Sequence, residues 1–96
     1  MILEVALLTV KAEQTKAFET AFATAQTIIA AAAGYISHQL QQCIEEPNKY
    51  VLLIQWQTLE DHTVGFRQSA AFQQWKQQLH YFYDPPALVQ HYEKLF

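Results

Sequence analysis

The chain has one cysteine, Cys43, so no internal disulfide can form and an oxidising, secreted setting is not indicated. It has only two glycines, Gly34 and Gly65, too few for a loop that cradles phosphate. Cations are scarce as well: six Lys and Arg stand against nine Asp and Glu, a net charge of −3, and they form no basic run. Nucleic acid and membrane are therefore excluded as expected partners. No apolar run approaches the roughly 20 residues that a membrane span requires. Glu4 interrupts the apolar N-terminal stretch and no basic segment precedes it, so that stretch reads as a strand rather than an export signal. A cytoplasmic protein is the expectation.

What the chain does have is apolar surface. With 51% hydrophobic and 16% charged residues over 96 positions, it should fold as one domain, residues 1–96, around a real core. At this size such a core is only marginally sufficient, and oligomerisation is a common way to complete it.

The pattern of that apolarity sets the element order. Met1 to Val10 is almost continuously apolar and β-branched, which suits a strand covered on both faces. From about Ala12 the period changes: Phe18, Ala21, Phe22, Ala25, Ile28, Ile29 and Ala32 step by three and four along one helix face. Gly34 then stands where a helix stops. Tyr35 to Ile44 alternates as a strand does, with Ile36, His38, Leu40 and Gln42 on one side and Tyr35, Ser37, Gln39, Gln41 and Cys43 on the other. Glu45-Glu46-Pro47-Asn48-Lys49 is turn chemistry, and Tyr50 to Thr58 returns as a third strand. Thr58 and Asp61 have the spacing of a capping box, so a helix begins there. A second start at Ser69 precedes the stripe Phe72, Trp75, Leu79 and Phe82, which Asp84-Pro85-Pro86 ends. Ala87 to Glu93 is a last short strand.

The order β-α-β-β-α-β implies a ferredoxin-like α+β fold, a four-stranded antiparallel sheet with both helices on one face. The other face, expected to carry Gln39, Gln41, Gln55, Gln57, Tyr35 and Cys43, is too mixed for a core and too weakly charged for a free surface. A second copy packed sheet to sheet would cover it, so a homodimer is expected.

Trp56, Leu59-Glu60-Asp61-His62-Thr63, Phe66-Arg67-Gln68-Ser69, Phe72, Trp75, Leu79, Phe82-Tyr83-Asp84-Pro85-Pro86 and Val89-Gln90-His91-Tyr92 closely resemble the antibiotic biosynthesis monooxygenase family. The resemblance covers essentially the whole chain and implies a dimeric α/β barrel. It further implies oxygenation of a small aromatic or quinol substrate without flavin, metal or haem. An electron-rich hydroquinone, once deprotonated, can itself give electrons to dioxygen. The protein has only to bind the ring, favour the anion and exclude water. The haem-degrading relatives carry an Asn on the first strand, a Trp on the second helix and a His about two turns later. Here the first strand has no Asn, Phe66 falls near the Trp position, and Trp75 or Lys76 falls near the His, which argues against that chemistry.

His62 and Phe66 lie four apart on one helix face with Trp56 just before it, so the three can line a pocket with His62 as catalytic base. Against this, His62 can simply tie the helix start to a neighbouring loop. Trp75 is a further candidate wall that is also a core position. Tyr83, before the two prolines, can donate to a substrate oxygen or merely anchor its turn. Arg67 can steer an anion or sit as a solvated helix-end charge. His38 and His91 fall on the two edge strands, far apart within one chain, and suggest no metal site. The expected ligand is thus a small hydrophobic or aromatic molecule, with no cofactor. Isomerisation of a small polar metabolite and a non-catalytic ligand-binding dimer are the alternatives.

Overall fold

A computed structural model describes all residues 1–96. Strand β1 (Ile2–Thr9) lies inside the sheet, flanked by β3 (Lys49–Trp56) and β4 (Leu88–Glu93), with β2 (Tyr35–Gln42) beyond β3. The order is β2-β3-β1-β4 and every pairing is antiparallel. Helices α1 (Thr15–Ala30) and α2 (Ala70–Leu79) complete the ferredoxin-like α+β fold inferred from periodicity. The sheet is open within the single chain and does not close on itself. Neither helix is long and apolar enough to cross a membrane.

Alternation along the strands divides the side chains between two faces. Glu4, Ala6, Leu8 and Val10 of the first strand segment, with Tyr50, Leu52, Ile54 and Trp56 of β3, are all buried under the helices. Phe18, Phe22, Ala25 and Ile29 of α1, and Trp75 and Leu79 of α2, close over them. Phe18 is the aromatic hub of one end, 5.0 Å from Tyr50 and 5.8 Å from Phe82 between ring centroids.

One face assignment changes. Tyr35 pairs with Trp56 but Ser37 pairs with Gln55, so Ile36 is an extra residue in β2. Such a bulge resets the alternation. Tyr35 therefore joins His38 on the helix side, where its hydroxyl meets His38 Nδ1 at 2.5 Å, and Ile36 is exposed. The open face is also more apolar than expected. Register places Leu3, Val5, Leu7, Val51, Leu53 and Leu88 there, beside the glutamines of β2 and β3.

Two local devices position the segment that matters most. Gly34 has φ +82°, a left-handed conformation that ends the α1 connection, and a Cβ there would run into the Asp61 side chain. Asp61 is held in turn by reciprocal capping. Thr58 N–H donates to Asp61 Oδ2 at 3.2 Å, and Asp61 N–H donates to Thr58 Oγ1 at 3.2 Å. From this cap runs a wide π-type turn, Asp61–Phe66, in which Arg67 N–H reaches back to His62 O. Ser69 then caps α2, its Oγ accepting from Phe72 N–H at 3.2 Å. Single π-type turns of this kind are frequent at functional sites.

Candidate active site

The π turn points His62 down into the sheet, where it is 4% exposed. There it meets Glu4, the one charged residue of the core, 5% exposed. Glu4 Oε1 accepts from the indole Nε1–H of Trp56 at 3.0 Å, and His62 Nε2 lies 3.3 Å from the same oxygen. His62 Nδ1 lies 2.8 Å from His91 Nε2, which register places opposite Glu4 on β4.

Trp56 is the side-chain donor to Glu4 Oε1, and the His62 ring approaches the same oxygen in a 3.3 Å contact without an aligned hydrogen bond. His62 Nδ1 and His91 Nε2 share one hydrogen bond, its donor set by their tautomers. The three side chains form a contiguous string, His91, His62 and Glu4, and do not group around a cation position.

Burial keeps both imidazoles of the string uncharged near neutral pH. Burial, with help from Arg67 and His91, lowers His62 to about 4, so its imidazole is uncharged near neutral pH and its contact with Glu4 is not an ion pair. Burial raises Glu4 above the usual carboxylate range, while the Trp56 N–H and Arg67 pull it back. His91 is lowered by burial and by Arg67. The His62 ring stacks on Trp56 at 5.2 Å and 18°, and Phe66 packs against Trp56 at 5.9 Å.

Glu4 also lines a cavity. An inner chamber of about 40 Å³ lies between sheet and helices, with Glu4, Trp75, His80 and Tyr83 among its walls. It has room for a few water-sized molecules and not for a ring. Outside it lies a pocket of about 400 Å³ walled by Arg67, Phe72, His80, Tyr83, Pro86 and Val89. That volume falls in the range of small-molecule sites. His80, Tyr83, Ala87 and Val89 line both spaces. Burial raises the Tyr83 hydroxyl above its ordinary range, so it stays a donor. Burial and Lys76 lower His80.

The sequence-derived candidates thus fall into two groups. Trp75 and Tyr83 line the chamber, whereas Trp56 and His62 stand behind Glu4 and line neither space. Phe66 bridges the groups, 6.2 Å from Trp75 and 5.6 Å from Phe72, and also walls a separate apolar groove of about 320 Å³ beside the end of α1. Sequence reasoning missed Glu4 and set His91 aside as an edge-strand histidine. The signal for Glu4 was there: it sits in phase with Ala6, Leu8 and Val10, the buried side of its strand. His91 could be found only through the β1–β4 register.

The largest concavity, about 430 Å³, is an open groove at the opposite sheet edge, between α1 and β2. Its titratable groups are occupied with one another, His38 between Tyr35 and Gln26 Oε1 and Tyr50 donating to Glu19 at 2.6 Å. It offers no free acid or base comparable to Glu4.

Residues 1–78 match the family model for antibiotic biosynthesis monooxygenases, a span that includes Glu4 and His62 and stops short of His91. The uncharacterised protein YczJ of Bacillus subtilis is 48% identical over 93 residues, covering 97% of this chain and 98% of its own. A solved structure from Bordetella bronchiseptica, assigned to the antibiotic biosynthesis monooxygenases, is 34% identical. It superposes with a TM-score of 0.94 over 99% of this chain and 97% of its own. SnoaB of Streptomyces nogalater, a cofactor-independent oxygenase, shares the fold at a TM-score of 0.86, with 18% identity over 99% of this chain and 93% of its own. The chain belongs to the antibiotic biosynthesis monooxygenase family.

Proposed function

We propose that the protein is a monooxygenase that oxidises a small electron-rich aromatic or quinol with dioxygen and without a cofactor. The observation that carries this reading is a pocket of about 400 Å³ walled by Phe72, His80 and Tyr83, beside a small chamber that buried Glu4 lines, with His62 and His91 behind Glu4. The ring lies between Phe72, Pro86 and Val89, with Trp75 and Tyr83 further in and Trp56 and Phe66 backing the string. A phenolic hydroxyl beside His80 and Tyr83 gives up its proton, and the low polarity of the site favours passage of charge to dioxygen. The substrate supplies all four electrons: one oxygen atom enters the ring, and the other leaves as water with two substrate hydrogens. No group beyond the chain is required by that balance.

Two chains pair through the open sheet face in this reading. Leu7 and Leu88 are 49% and 54% exposed there, side by side in the β1–β4 register, and a second copy would bury them.

The test is oxygen uptake by the purified protein with a panel of benzene-, naphthalene- and anthracene-type phenols and hydroquinones, with no metal or flavin added. Turnover that His62→Ala abolishes while the fold persists supports the reading. A buried carboxylate at the end of a pocket also suits proton transfer within a small polar metabolite. Solvent-deuterium exchange into substrate without oxygen uptake would establish that isomerase reading instead. Thermal stabilisation by ligand with neither activity would mark a binding module.

A further inference from the structure

We infer that the substrate is an aromatic hydroxy acid, and that Arg67 selects it by pairing its guanidinium with the substrate's carboxylate. The inference rests on the monooxygenase reading and names the substrate class of that same pocket.

The charges around the pocket of about 400 Å³ are one-sided. Arg67 is the only formally charged side chain on its wall, which is otherwise apolar apart from the His80 imidazole and the Tyr83 hydroxyl. Burial and the Lys76 charge hold His80 below its ordinary value, so it is uncharged near neutral pH, and burial keeps the proton on Tyr83. No acid answers the arginine. The ion contacts of the chain are Lys49 with Glu46 and His62 with Glu4, and the Arg67 guanidinium takes part in neither. Its charge is felt inside the fold all the same. Burial and then Arg67 lower His62 and His91, and burial raises Glu4 against the pull of Trp56 and Arg67. In a chain of net charge −3, an unanswered cation on a pocket wall is a local point of attraction for an anion.

The backbone presents this side chain from a fixed base. Arg67 closes the π turn, its N–H donating to His62 O at 3.1 Å, and Gln68 N–H donates to Val64 O at 3.1 Å. The preceding residue, Phe66, is buried against Trp56 and Trp75. The arginine itself is exposed and makes no ion pair that a ligand would have to break.

The same placement separates two groups of the substrate. His80 and Tyr83 line both the pocket and the inner chamber, whereas Arg67 lines the pocket alone. A ring whose hydroxyl lies beside His80 and Tyr83 therefore meets Arg67 with a different substituent. A guanidinium offers paired N–H donors in one plane, which match the two oxygens of a carboxylate. A carboxylate is ionised at neutral pH unaided, and one guanidinium balances its single charge, where a phosphate monoester would bring nearly two. Phe72, Pro86 and Val89 supply apolar cover for the ring between the two groups.

The test is isothermal titration of the purified protein with a hydroxynaphthoate whose hydroxyl and carboxylate stand at opposite ends of the ring system, and with its neutral carboxamide. The acid should bind about tenfold tighter than the amide, between the effect of an exposed ion pair and that of a sealed one, and added salt should reduce the preference. Arg67→Gln should bring the ratio close to one by weakening the acid alone. Arg67→Lys, which keeps the charge but not the planar fork, should retain part of the preference. Lys16→Gln removes the same charge from an exposed site on α1 outside the pocket and should leave the ratio as it was. Equal affinities of acid and amide for the wild type, a preference that survives Arg67→Gln, or no binding of either compound at millimolar concentration overturns the role of Arg67. Oxygen uptake separates this from the wider reading. An Arg67-dependent preference without oxidation of the acid supports the pairing and refutes the monooxygenase. Oxidation of the acid and of neutral phenols at equal kcat/KM, unchanged in Arg67→Gln, upholds the monooxygenase and overturns the pairing.

Discussion

The state of His62 makes stability depend on pH in a calculable way. In the unfolded chain its imidazole titrates at its ordinary value of 6.5, whereas burial lowers it to about 4 in the folded protein. A group whose folded value is depressed contributes stability that is fully present above its unfolded value and is lost as pH falls toward the folded one. Between about pH 6.5 and 4, then, the unfolded chain takes up a proton that the native chain refuses. Integrating that one-proton difference from about pH 7 to pH 5 gives a loss of about 2 kcal/mol, and screening through the half-open β4 edge brings it nearer 1. Other groups titrate in the same range. His38, His80 and His91 are all lowered and act in the same direction, whereas Glu4, raised by burial, acts in the opposite one. The remedy is a difference measurement. Urea unfolding of wild type and His62→Gln at about pH 7 and pH 5 leaves the other groups common to both. Wild type should lose about 1–2 kcal/mol more than the variant over that interval, with equal m-values. Equal losses would mean that His62 titrates normally in the native state.

Other sites give sharper structural expectations. Trp56→Phe keeps the ring but removes the donor to Glu4; it should cost about 1.5–3 kcal/mol in chemical denaturation. The same change should move the acid limb of kcat/KM upward, since that N–H lowers Glu4 in a site where His62, Arg67, His91, His80 and Tyr83 are the other titratable neighbours. Phe18→Ala empties a fully buried hub between Phe22, Tyr50 and Phe82, and about 3–5 kcal/mol of stability should go with it. Gly34→Ala meets both a positive φ and the Asp61 side chain, so it should destabilise by more than about 1 kcal/mol and loosen the π turn, readable as faster amide exchange at Asp61 and His62. Leu7→Lys, on the open face, should leave the monomer folded while shifting sedimentation from dimer to monomer.

Periodicity carried most of the architecture, because α1 and β3 are patterned by burial on one side and little else. The stripe of Phe18, Phe22, Ala25 and Ile29 is present as read, and the strand read at Tyr50 to Thr58 buries Tyr50, Leu52, Ile54 and Trp56 in alternation. Local chemistry was legible for the same reason: Thr58 with Asp61 and Ser69 with Phe72 are caps formed within a few residues. The bulge at Ile36 was not legible, since an extra residue leaves apolar composition unchanged and appears only in pairing with Trp56 and Gln55. His62 could be singled out from the sequence but its partners could not. Glu4 and His91 reach it through pairings that span most of the chain. In sequence Glu4 looks like an interruption of an apolar strand, and His91 like a histidine on an edge.

That difference in legibility has a physical origin in how the site is assembled. A carboxylate in the core costs stability unless donors satisfy it. Here the one side-chain donor, an indole, comes from β3, and its neighbours, an imidazole from the π turn and behind it an imidazole from β4, come from elements that share no local sequence with it. Each is also fixed by something else. Trp56 is fully buried against Tyr35 and Phe66, the π turn is held by the Thr58–Asp61 cap under Gly34, and His91 is held by the β1–β4 ladder. The fold therefore fixes the surroundings of Glu4 from three elements at once. A residue kept only for packing would be better served by leucine at this position, which needs no donor. A carboxyl group held in the core at the wall of a cavity is for that reason the first group in this fold to test for function.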